Sequence, residues 1–106
     1  MEDYALLLEG IIYEMGLIAD GKSESCVKLA KYIESAKQYL DAPNKAALTR
    51  AYNVARRYVK YKGEIPADVS IYDVCKYGKS DKYLASLRRA IRAVANRYML
   101  FVLNVV

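Results

Sequence analysis

From Ser80 to Asn104 the chain runs 25 residues without a glycine or a proline. Tyr83, Leu87, Ala90, Ile91, Val94, Tyr98 and Phe101 recur there at helical spacing and fall on one face. Lys82, Arg88, Arg89, Arg92 and Asn96 fall on the other side. Ser80 is placed to cap such a helix, and Asp81 puts a carboxylate where the helix dipole favours one. At about 1.5 Å per residue the helix is about 36 Å long, enough to cross a small domain. One face is core, and the other carries guanidiniums outward.

The upstream chain reads as helices of matching kind. Glu2 to Ala19 is apolar on most sides: Tyr4, Leu8, Ile11, Ile12, Met15 and Ile18 make one face, and Leu6, Tyr13 and Leu17 a second. A helix with two apolar faces is central in a core or shared with another subunit. Asp20-Gly21 ends it, with Gly21 as the left-handed residue. Ser23 or Ser25 starts a second helix to Leu40, with Leu29, Tyr32, Ile33, Ala36, Tyr39 and Leu40 inward and Lys28, Lys31, Glu34 and Gln38 outward. A break at Asp41–Asn44 leads to a third helix ending near Tyr61, which packs Ala47, Ala51, Tyr52, Val54, Ala55, Tyr58 and Val59. Gly63 stops it, and Pro66 keeps the linker that follows extended. Asp68 or Ser70 begins a short helix to Tyr77, with Ser70 and Asp73 at capping-box spacing. No stretch alternates with period two. These elements predict an all-α, single-domain antiparallel helical bundle of four to five helices over residues 1–106.

Charge narrows the function. The chain has 17 Lys and Arg against 12 Asp and Glu, a net +5. Residues 1–21 hold five of the acids and no base, so the remainder is markedly basic. That asymmetry points to an anionic partner, nucleic acid first. One glutamine, eleven tyrosines, no histidine and short connections suggest a hyperthermophilic archaeon or its virus as source. Cys26 and Cys75 read as buried free thiols. The N-terminus lacks the bases of a signal peptide, and the longest uncharged apolar run, Tyr98–Val106, is too short to span a membrane. A cytoplasmic or virion setting follows as the expectation.

Gly16-Leu17-Ile18-Ala19-Asp20-Gly21-Lys22-Ser23 matches the phosphate-loop pattern. A phosphate loop follows a strand, however, and the residues before Gly16 have helical period and include Glu9 and Glu14. A helix end with a glycine cap is the expectation. Without histidine there is no Ser-His-Asp or Cys-His arrangement and no histidine metal site. The chain is therefore expected to be no enzyme and to need no cofactor or metal.

The strongest functional signal is a basic arc repeated on two helices. Arg50, Arg56, Arg57 and Lys60 lie within an arc of about 120° on the third helix. Lys82, Arg88, Arg89 and Arg92 do the same on the last. Side by side, the arcs form a groove for phosphates, with Asn53 and Asn96 inside it as hydrogen-bonding groups. Arginine suits forked contact with phosphate oxygens. Tyr61 and Tyr77 are expected at the border, able to stack on bases. The partner is accordingly DNA or RNA. The alternative is a protein–protein adapter or structural subunit. Leu6, Tyr13 and Leu17, with Met99, Leu100 and Leu103, lie outside the core stripes and call for burial in a homo-oligomer or larger assembly.

Ser25–Lys62 contains Leu29-Ala30-Lys31-Tyr32 and Ala51-Tyr52-Asn53-Val54-Ala55-Arg56-Arg57-Tyr58. This helical pair resembles the nucleotidyltransferase-associated (HEPN-type) domains of archaea. RNA-cleaving members use an arginine followed a few residues later by histidine. Arg56 and Arg57 are present but histidine is not, so the resemblance does not imply cleavage here. In size, charge and helicity the chain is also similar to small helical subunits of archaeal CRISPR effectors and to helical capsid proteins of archaeal viruses.

Overall fold

A computed structural model describes residues 2–39, 42–64 and 80–105. They form four helices: α1 (Glu2–Ala19), α2 (Val27–Lys37), α3 (Ala42–Glu64) and α4 (Ser80–Val105), with no strand among the described residues. The short helix expected up to Tyr77, with Ser70, Asp73 and Cys75, lies outside them.

α1 ends as its last residues dictate. Gly21 has φ +73°, a conformation that costs glycine little. The Gly21 N–H donates to the Ile18 carbonyl at 3.2 Å and the Lys22 N–H to the Leu17 carbonyl at 2.9 Å. Together these make a Schellman closure. The Ser23 N–H also donates to the Leu17 carbonyl, at 3.2 Å. The backbone donors that a phosphate loop would aim at a ligand are thus committed to the carbonyls of α1, and a helix stands where that loop needs a strand.

α2 is shorter than its periodicity predicts. Ser23 and Ser25 precede it: the Ser23 hydroxyl donates to the Ser25 carbonyl, and the Ser25 hydroxyl accepts from the Val27 N–H at 3.3 Å. Cys26 is the N-cap, half-buried and free rather than buried on a helix face. α3 in turn is longer at both ends. It begins at Ala42, so Pro43 sits in the first turn, where its missing N–H costs nothing. It continues through Gly63, expected as its stop, to Glu64.

One apolar cluster joins all four helices. Leu8, Ile11, Met15 and Ile18 of α1 meet Leu29 and Ile33 of α2, Leu48, Ala51 and Ala55 of α3, and Leu87 and Val94 of α4. Full burial of one such leucine or isoleucine contributes about 1.5–3 kcal/mol. α1 packs against α2 and α4, and α3 also packs against α2 and α4; α1 and α3 meet only weakly. At one end the Tyr4 ring meets Tyr39 just past α2 at 5.8 Å and Phe101 of α4 at 4.9 Å. Near the other, Tyr61 of α3 stacks on Tyr83 of α4 at 4.9 Å. Gly10 lets α1 and α2 close together, since a Cβ there would lie 3.0–3.2 Å from the Tyr32 ring.

Tyr39, Leu48 and Tyr61 also depart from their expected places. Tyr39 is exposed rather than core, its ring tilted 39° to that of Tyr4. Leu48 is fully buried though no periodic set included it. Tyr61, expected at the surface to stack on bases, is buried against Tyr83, because α4 covers that side of α3. Tyr77 lies outside the described residues.

Candidate nucleic-acid interface

α3 and α4 are almost free of acids. α3 carries six bases and a single acid, its last residue Glu64; α4 carries five bases and a single acid, Asp81 in its first turn. Both helices spend their apolar stripes on the core, which turns their basic arcs outward. Arg50, Asn53, Arg56, Arg57, Lys60, Lys82, Arg88, Arg89, Arg92 and Asn96 are all exposed.

A groove of about 820 Å³ runs between α3 and α4. Arg50, Asn53 and Arg57 line it from α3 and Arg89 from α4. Thr49 and Ser86 add hydroxyls, and Val54, Ala90 and Ala93 supply small apolar surface. Arg89 donates to the Ser86 hydroxyl at 3.3 Å, one turn back along α4. No acid lines this groove among the described residues. Lys82, Arg88, Arg92 and Asn96 share α4 with Arg89 but do not line it.

Arg56 and Lys60 lie elsewhere. They line a second groove, about 690 Å³, between α3 and α2. Lys31 joins them from α2, with Tyr52, Cys26 and Ala30. Glu24 also lines it, and it lines the smaller cleft beside Lys62 as well. Burial pushes the Cys26 thiol above its ordinary pKa, and the nearby Arg56 guanidinium partly offsets this. The two predicted arcs therefore do not form one groove. α3 divides its own cations between a groove on each flank.

None of the cations lining these two grooves is held by an acid among the described residues; Lys37 pairs with Glu34 at 3.2 Å along α2. Two acids of α1 lie away from these grooves. Glu9 accepts a hydrogen bond from the Tyr98 hydroxyl of α4, and Glu14 is buried. Sequence periodicity missed Lys31 as a companion of Arg56, because it sits on a helix whose outer face also carries Glu34.

Exposed apolar side chains lie on the far side of α1 and at the end of α4. Leu6 is 63% and Tyr13 65% exposed; Met99, Leu100 and Leu103 are 54%, 61% and 67% exposed. Leu17, expected among them, is half-buried. The Tyr4–Phe101 and Glu9–Tyr98 contacts put Leu6 and the Met99 turn at the same level of the molecule. No helix among the described residues is long and apolar enough to cross a membrane.

Compared with protein-family models, with curated proteins and with solved structures, the chain matches none, so no relative supplies a function.

Proposed function

We propose that this chain is a single-domain antiparallel helical bundle that binds nucleic acid without catalysis, holding phosphates on the basic faces of α3 and α4. The ring of helix contacts supports the bundle, as do the tyrosine pairs that join the start of α1 to the end of α4 and the end of α3 to the start of α4. The single observation that carries the binding reading is the acid-free groove holding Arg50, Arg57 and Arg89, unpaired among the described residues. Cations at this density without local acids repel one another, and an anionic ligand relieves that repulsion while releasing its own counterions. Arginines suit forked phosphate contact, and Asn53 can add a hydrogen bond to sugar or base. Absence of histidine from the whole chain favours binding over catalysis. Composition favours a hyperthermophilic archaeal or viral source, in cytoplasm or virion.

The test is fluorescence anisotropy with labelled DNA and RNA across a salt titration. Affinity falls steeply with salt, and Arg50→Ala with Arg57→Ala and Arg89→Ala weakens it at least about tenfold while the circular dichroism stays helical. Salt-insensitive binding, or an unaffected triple variant, overturns the reading. A second reading has its own observation: the exposed Leu6, Tyr13, Met99, Leu100 and Leu103 favour self-association or an adapter role. It is compatible with nucleic-acid binding, since these residues do not line either basic groove.

A further inference from the structure

Resting on the phosphate-binding reading above, we infer that α3 enters the major groove of B-form DNA, its two flanking grooves gripping the phosphates of opposite strands. The cations of α3 are sorted to both sides. Arg50 and Arg57 face the α4 groove, joined there by Arg89; Arg56 and Lys60 face the α2 groove, joined by Lys31. Around the helix axis Asn53 lies about 60° from Arg50 and about 60° from Arg56, midway along the exposed arc. The result is a ridge with positive charge on both slopes, and the Asn53 amide on its exposed arc at the border of the α4-side groove.

A duplex with a groove that admits a helix matches this surface. The B-DNA major groove is about 12 Å wide, against about 10–12 Å for a helix with its side chains. Phosphates border that groove on both sides, as the cations border α3. From Arg50 to Lys60 the helix rises about 15 Å, close to four base-pair steps. Asn53, exposed where the ridge meets the α4-side groove, has the two-pronged amide that pairs with the N6 and N7 edge of adenine.

Other nucleic acids fit less well. The major groove of A-form RNA is too narrow and deep for a helix. Binders of single strands stack bases on exposed aromatic rings. No aromatic lines the α4-side groove among the described residues, and Tyr52 in the other is half-buried against the core. Glu24, on the α2 side, opposes a phosphate there, so Glu24→Gln strengthens binding.

The experiment compares a labelled DNA duplex of about 20 base pairs, two helical turns, with its single strand and with the RNA duplex of the same sequence. Each is titrated with salt, for the wild-type chain and three variants checked for helicity. The duplex DNA binds at least about tenfold tighter than the other two. Arg50→Ala with Arg57→Ala, and Arg56→Ala with Lys60→Ala, each make the log–log salt slope shallower by about two. Asn53→Ala leaves that slope unchanged but narrows the affinity difference between duplexes of different sequence. Equal binding of single strands or RNA, or an unchanged slope in the Arg56 and Lys60 variant, overturns insertion of α3 while leaving phosphate binding standing. Absence of salt-dependent binding to all three removes both.

Discussion

Two tyrosines set the residue-scale tests. The Tyr98 hydroxyl donates to the Glu9 carboxylate, and that bond first, then burial, then the Glu9 charge raise the phenol above its ordinary pKa. Folding therefore favours the protonated phenol. Its contribution is complete below about pH 10 and is lost as pH rises through the higher folded value. Tyr98→Phe lowers stability at neutral pH, and the further loss as pH rises above about 10 is smaller than in the wild-type chain, read by guanidinium unfolding. An identical pH profile in the variant contradicts the coupling. Tyr61 makes the opposite case, for its hydroxyl is buried without a hydrogen-bond partner among the described residues. Removing an unsatisfied polar group relieves a desolvation cost of about 1–3 kcal/mol, so Tyr61→Phe is neutral to stabilising in the same measurement. A loss above about 1 kcal/mol means the hydroxyl has a partner after all.

At the scale of the element, glycines separate helix propensity from packing. Gly16 lies inside α1 with no atom within 4 Å of an added Cβ, whereas Gly10 meets the Tyr32 ring at 3.0 Å. Gly16→Ala stabilises by about 1 kcal/mol. Gly10→Ala gains less or loses, since the ring has to move; an equal gain at both sites would contradict the close α1–α2 approach. The helices themselves were largely legible in the sequence. α1 matches its expected bounds because Asp20-Gly21 closes it chemically, and α4 exceeds its expected end by one residue. The ends of α2 and α3 were not, since the Ser23 hydroxyl bonds the Ser25 carbonyl, the Ser25 hydroxyl takes the Val27 N–H ahead of the helix, and Gly63 stays helical without a positive φ. The burial of Tyr61 was illegible for a different reason. It depends on which neighbour covers that side of α3, a tertiary fact that periodicity does not contain.

For the whole molecule, periodicity named the cations but not their partition. It put Arg56 beside Arg57 in one arc, yet packing against two neighbours sends adjacent residues to different grooves. Arg88 and Arg92, equal members of the predicted α4 arc, do not line the α3–α4 groove. Their replacement by alanine therefore weakens binding less than replacement of Arg57 and Arg89. The exposed apolar residues at the end of α4 carry a separate prediction. If they join copies of the chain, Leu100→Glu with Leu103→Glu lowers the mass measured by light scattering; a wild-type chain already monomeric at about 100 μM contradicts self-association. The slope of binding constant against salt reads the central account most directly. Six cations on duplex phosphates, Arg50, Arg57, Arg89, Arg56, Lys60 and Lys31, predict a log–log slope near −5, about −0.9 for each. A slope within about one of zero, or no binding at low salt, would contradict it.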